Sequence, residues 1–106
     1  MDIQKTVNGE DFIVEISGRL DTTTAPQFEE FITENISKMK TLTLDCVALE
    51  YVSSAGLRVL LSAQKRLKGG MKLKNVCELV MEVFEMTGFV DILVIEFSFR
   101  LHYTTK

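Results

Sequence analysis

The sequence has no tryptophan, one proline (Pro26), one histidine (His102) and two cysteines (Cys46 and Cys77) among 106 residues. Each scarcity excludes a kind of chemistry. A Ser-His-Asp or Cys-His nucleophile needs a well-placed imidazole, and the single histidine lies next to the C-terminus. One histidine and two cysteines inside apolar segments, without C-x-x-C spacing, make neither a zinc site nor a disulfide framework. The cysteines read as reduced core residues. There is no Walker A sequence and no G-x-G-x-x-G, so the residues suggest no nucleotide or other cofactor. No apolar run approaches the roughly 18–20 residues of a membrane span. The longest, from Phe89 to Phe99, is interrupted by Asp91, Glu96 and Ser98. The opening residues, MDIQKTVNGEDF, lack the apolar stretch of a signal peptide, so a cytoplasmic protein is expected. A net charge of -3 gives no basic footprint for direct contact with nucleic acid.

What is present suffices for one core: 46% of residues are hydrophobic and 25% charged, ordinary proportions for a small globular unit. No repeat, low-complexity tract or linker divides the chain, so residues 1–106 read as a single domain. Asp2–Val7 and Asp11–Ser17 are β-rich runs around Asn8-Gly9-Glu10, a hairpin signal. Gly18 is expected to open a loop running to Thr23. Thr24 with Gln27 three residues on resembles a capping box, and Pro26 suits a first turn. Phe28, Phe31, Ile32, Ile36 and Met39 follow at helical spacing to near Lys40. Thr41–Val47 alternates and reads as a strand, with Ala48–Val52 a short connection. The next helix spans Ser54 to Leu67, with Leu57, Leu60, Leu61 and Leu67 inward, and Gly69-Gly70 stops it. Lys72–Val76 reads as a strand, and Glu78–Thr87 as a helix with Leu79, Val80, Val83 and Phe84 inward. Ile92–Phe97 is a last strand, with an extension toward Tyr103.

This alternation of strands and helices predicts an α/β fold with parallel crossovers, whose sites lie where strands end and helices begin. Two loops qualify, Asp21–Thr24 and Tyr51–Gly56. Paired carboxylates such as Glu29/Glu30 and Glu82/Glu85 fall on wet helix faces, as do Arg58, Lys65, Arg66 and Lys68. Ser53 and Ser54 are more pointed. One of them can cap the helix. Ala55 and Gly56 are small and are expected to leave the first turn open to an approaching group. A phosphate on a serine hydroxyl there meets a helix N-terminus, which favours negative charge. It adds about -1.5 to -2 charges to a small surface.

Three segments in order resemble STAS domains. Ser17–Ala25 (SGRLDTTTA) looks like their opening loop. Leu44-Asp45 followed by Tyr51–Leu57 (YVSSAGL) looks like their phosphorylation segment. Met86-Thr87-Gly88-Phe89 is similar to the M-[ST]-G-hydrophobic turn after their third helix. Together they cover essentially the whole chain, at the spacing of bacterial anti-sigma factor antagonists. The resemblance implies a STAS-like fold: a mixed sheet of about five strands with three to four helices packed mainly on one side.

The resemblance also implies partner switching. Family members often read D-S-[ST]-G-L, with the first hydroxyl residue phosphorylated. Anchoring on Gly56-Leu57 puts Ser54 at that position, Ser53 where the acidic residue usually stands, and Ala55 at the second hydroxyl position. Ser54 is the first choice for modification and Ser53 the second. Asp21 matches the family's loop aspartate. The implied partner surface comprises Asp21, Thr22, Thr23, Ser53, Ala55, Gly56 and Arg58. The implied partners are an anti-sigma factor serine kinase of the GHKL type, which carries the ATP, and a PP2C-type phosphatase. The chain itself is then no enzyme, and is a monomer or weak dimer, with Phe99 and Leu101 available for pairing. The alternative is a STAS scaffold or regulatory subunit of a stress-signalling complex or of a lipid or anion transporter.

Overall fold

The structure is a computed structural model and describes residues 1–96. The strand extension toward Tyr103, and the pairing residues Phe99 and Leu101, lie outside the described residues. The chain begins with a hairpin. Strand β1 (Asp2–Asn8) pairs antiparallel with β2 (Asp11–Leu20), Asn8 opposite Asp11. The turn is Gly9-Glu10 rather than Asn8-Gly9. Gly9 has φ 67°, and a tight turn with positive φ at its first central residue wants glycine there.

Three crossovers follow. Helix α1 (Ala25–Asn35) leads to β3 (Thr41–Val52), α2 (Ser54–Arg66) to β4 (Met71–Lys74), and α3 (Glu78–Thr87) to β5 (Ile95–Glu96). The sheet order is β1-β2-β3-β4-β5, and every pairing after the hairpin is parallel. Right-handed crossovers that always advance to the next strand place all three helices on one face. Strand burial agrees. Phe12, Val14 and Ile16 of β2 are buried, while Asp11, Ile13 and Glu15 between them are exposed. The helices bring Phe28, Ile32, Leu57, Leu60, Val80 and Phe84 onto that apolar face. This is the mixed sheet of about five strands that was expected, and of the three to four helices expected the described residues form three.

Several boundaries differ from the expectations, each for a local reason. Ala48–Val52 is strand, not a connection, and β2 continues through Gly18 to Leu20. Along β3 the buried residues are Leu42, Leu44, Cys46, Leu49 and Val52. The spacing changes from two to three where the register with β2 shifts, between Glu15 and Ser17 and again between Gly18 and Arg19. Such bulges break the two-residue period by which a strand is recognised. Helix α1 stops at Asn35 and gives way to a 3-10 turn, Ile36–Lys38. The buried Asn35 side chain donates to the Phe31 carbonyl (2.8 Å) and accepts from Lys5 (3.2 Å). Strand β4 ends at Lys74 because Asn75 turns left-handed, with φ 59°. Ile92–Val94 precede β5 in a turn, where the Leu93 N–H donates to the Phe89 carbonyl at 2.8 Å. Leu79 does not point inward: it is 54% exposed, whereas Phe84 on the same helix is fully buried. Leu61 is only half-buried, and Val59 and Ala63 join the core instead. Cys46 is a buried core thiol as expected, whereas Cys77 is half-buried at the start of α3.

Candidate functional site

The two loops singled out from the sequence meet because β2 and β3 run parallel and end together, with Arg19 opposite Tyr51 and Leu20 opposite Val52. Each strand then feeds a helix. The chains stay joined one residue further on, where the Ser53 N–H donates to the Leu20 carbonyl at 2.9 Å.

The two serines have different roles. Ser53 is extended (ψ 179°) and is the N-cap of α2: its hydroxyl accepts from the Gly56 N–H at 3.4 Å. Its carbonyl accepts from the Leu57 N–H at 2.9 Å. Ser54 is the first residue of the helix and is exposed. Its hydroxyl thus lies beside the first-turn N–H groups that have no partner within the helix.

Gly56 is not open to a partner, contrary to expectation. It is buried, and a Cβ there would lie 2.5 Å from the Leu20 carbonyl oxygen and 2.9 Å from Leu20 Cγ. The glycine permits close packing of α2 on the end of β2 and does not form part of the outer surface.

The Asp21 loop is held by its own side chain. Asp21 Oδ1 accepts from the Thr23 N–H (3.0 Å) and the Thr24 N–H (3.2 Å). Its carbonyl accepts from the Ala25 N–H at 2.7 Å. Its other carboxylate oxygen pairs with the Arg19 guanidinium at 3.3 Å. Partial burial pushes the Asp21 carboxyl up, but the Thr24 and Thr23 N–H groups, Arg19 and the Thr24 hydroxyl outweigh it and hold the group below its ordinary value. The expected Thr24–Gln27 capping box does not form. Thr24 lies at the N-cap position with helical backbone angles and no side-chain cap bond. Its hydroxyl is turned inward, donating to the Arg19 carbonyl (2.7 Å) and accepting from the Asp21 N–H (2.9 Å). Asp21 performs the anchoring that the cap was expected to supply.

Thr22 and Thr23 are exposed at the tip of this loop. Between α1 and α2, beside Ser54, runs a groove of about 320 Å³ whose lining includes Thr22, Pro26, Glu29, Ala55 and Arg58. The structure therefore brings Asp21, Thr22, Thr23, Ser53, Ser54, Ala55 and Arg58 to one end of the sheet. Two contributors were missed. Arg19 stacks over the Tyr51 ring, 4.3 Å from its centroid, and Glu29 forms a groove wall. The Arg19–Tyr51 pair follows only from the register of β2 on β3, for which the sequence offers no local signal. Glu29 could have been found: it lies four residues after Ala25, on the helix turn next to the loop.

Among the described residues no group of three His, Cys, Asp or Glu side chains is placed to hold a metal ion. Nor is any helix among them long and apolar enough to cross a membrane.

Comparison with known proteins converges on this arrangement. The STAS domain profile matches residues 2–104. The chain is 37% identical over 81 residues to a Bordetella bronchiseptica protein bearing the name anti-sigma factor antagonist BtrV, covering 73% of this chain and 70% of that one. It is 31% identical over 89 residues to the anti-sigma-B factor antagonist of Bacillus subtilis, covering 81% and 82% respectively. Among solved structures, the anti-sigma factor antagonist SpoIIAA in its unphosphorylated form superposes with a TM-score of 0.76 at 20% identity, over 98% of this chain and 96% of that one. The phosphorylated form of SpoIIAA, from Bacillus, superposes with a TM-score of 0.69 at 19% identity, over 99% and 100%. With a hairpin leading into three parallel crossovers, and a serine pair opening the second crossover helix beside an aspartate-held loop, the chain belongs to the STAS domain family.

Proposed function

We propose that the protein is an anti-sigma factor antagonist that works by switching partners. Unmodified, it binds an anti-sigma factor that is also a serine kinase of the GHKL type, and so frees the sigma factor. The kinase then phosphorylates Ser54, and the modified antagonist leaves. A PP2C-type phosphatase restores the hydroxyl. The reading places the protein in the cytoplasm with these partners. Two relatives at 37% and 31% identity that carry the antagonist name support it.

The observation that carries the proposal is the division of labour between the serines. Ser53 is bound to Gly56 as a cap, while Ser54 presents an exposed hydroxyl on the first turn, beside the Asp21 loop. Modification of Ser54 therefore leaves the cap intact. The γ-phosphorus of ATP becomes bonded to Ser54 Oγ as its bond to the bridging oxygen of ADP breaks. The hydroxyl proton passes to a base on the kinase. Mg²⁺, nucleotide and base all belong to the partner, and this chain supplies only the acceptor. The added charge falls on the first turn of α2, whose next residue, Ala55, lines the groove that also holds Glu29. It lowers affinity through desolvation cost and repulsion from acidic groups of the partner, while the helix N-terminus tolerates it within the fold.

The test is intact mass and peptide mapping after incubation with ATP, Mg²⁺ and each GHKL-type anti-sigma factor of the same genome. One phosphate on Ser54, absent from Ser54→Ala, is the expected result. No phosphate with any candidate, from a folded chain, overturns the proposal.

A further inference from the structure

We infer that a phosphate on Ser54 is clamped from within the chain by Arg58, so that modification withdraws a cation from the partner face in the same step that adds negative charge to it. The inference rests on Ser54 being the modified residue. Ser54 opens α2 and Arg58 lies four residues on; both are exposed. Residues so spaced lie one above the other, about 5–6 Å apart at Cβ. Helical side chains lean toward the N-terminus, which puts position 54 within reach of the Arg58 guanidinium. An acidic group placed four residues before a basic one is also the favourable order along a helix.

Arg58 is available for this. The ion pair among the described residues is Arg19 with Asp21, so Arg58 is uncommitted there. The charged group that shares the groove with it is Glu29, on α1, while Arg19 and Asp21 of the neighbouring segment are paired with each other. Asp21 is occupied by Arg19 and by the Thr23 and Thr24 N–H groups. That leaves Glu29 as the competitor for Arg58, carrying one negative charge against nearly two on a phosphoserine. The planar guanidinium matches two phosphate oxygens at once, which a lysine in its place would not.

The consequence is a two-part switch. In the unmodified chain Arg58 stands on the wall of the groove beside the Asp21 loop, free to meet an acidic group of the partner. In the modified chain it is folded back onto its own helix. The partner then loses an attractive contact as well as gaining a repulsive one.

The test needs no kinase. Phosphoserine is incorporated at position 54 during synthesis, in the wild-type chain and in Arg58→Gln, and the second phosphate ionisation is followed by ³¹P NMR. An adjacent cation favours the dianion. In the wild type the ionisation should therefore fall below about 6, and in Arg58→Gln it should rise by about 0.3 unit or more. A smaller rise, or none, overturns the inference. Arg58→Met, read in the same way, guards against a particular effect of glutamine, and equal melting temperatures of the unphosphorylated chains exclude a change of fold. A chain that no kinase modifies, yet shows the shift, fails the functional proposal alone. A chain modified on Ser54 that shows no shift fails this inference alone.

Discussion

Leu20 and Gly56 are packed so closely that a single added carbon on Gly56 would stand 2.5 Å from the Leu20 carbonyl oxygen. That carbonyl already accepts from the Ser53 N–H, so it cannot retreat without breaking the bond that joins the two loops. Gly56→Ala should therefore destabilise the domain by about 2 kcal/mol, in the range of overpacking in a tight core. It should also displace the start of α2. Urea unfolding reads the first effect. A midpoint equal to wild type would show that the contact relaxes without cost.

The serines should separate in stability. Ser53→Ala removes a helix cap and should cost about 1 kcal/mol. Ser54→Ala alters an exposed first-turn residue and should leave the unfolding midpoint unchanged. Chemical denaturation of the two variants checks the order, and equal losses would remove the distinction between cap and acceptor.

Asp21 predicts a pH signature. Its carboxyl is held below the ordinary 3.8 by the bonds it accepts, so the unfolded chain takes up its proton first. Its contribution is then present above about pH 4 and is lost as the pH falls through the lower folded value. Asp21→Asn should melt earlier than wild type at pH 7, and the difference should shrink as the pH falls below 3.8. Thermal melts at a series of pH values test this. A constant gap would place the aspartate's role in shape and not in charge.

Burial pushes the Cys46 thiol up to about 12, with the Asp45 carboxylate and Cys77 adding to it. The reactive species of a thiol is the thiolate, so Cys46 should resist iodoacetamide at pH 8 until the chain is unfolded. Peptide mapping of alkylated native protein tests this, and rapid native labelling of Cys46 would contradict its burial.

The two apolar residues of α3 should behave oppositely. Phe84→Ala opens a cavity in the core and should cost about 3–5 kcal/mol. Leu79→Ala, at an exposed position, should stay within about 0.5 kcal/mol of wild type.

How much of this was legible in the sequence depended on periodicity. Helix α3 shows its bounds, Glu78–Thr87, because its apolar spacing ends at Gly88, which adopts φ 83° as a helix stop should. The sequence does not mark Leu79 as the outward residue, because Leu79, Val80, Val83 and Phe84 are all apolar and hydrophobicity alone does not choose between adjacent faces. The ends of β2 and β3 were hidden by their bulges, which replace spacing of two by spacing of three between Cys46, Leu49 and Val52. For the candidate site, the residue types were readable but their contacts were not. Whether Gly56 is open or pressed against a carbonyl depends on Leu20, which is distant along the chain and becomes its neighbour only when β2 and β3 pair.

The bond from the Ser53 N–H to the Leu20 carbonyl makes the site a reporter of folding. Ser54, the proposed phosphate acceptor, and the aspartate loop lie on opposite sides of a crossover, and neither is held in place until β2, α1 and β3 have assembled. A nascent or misfolded chain displays the same serines in the same order without the surface around them. The kinase proposed to read that surface would then count only finished molecules, and its signal would measure the folded pool of antagonist and not the amount of polypeptide made.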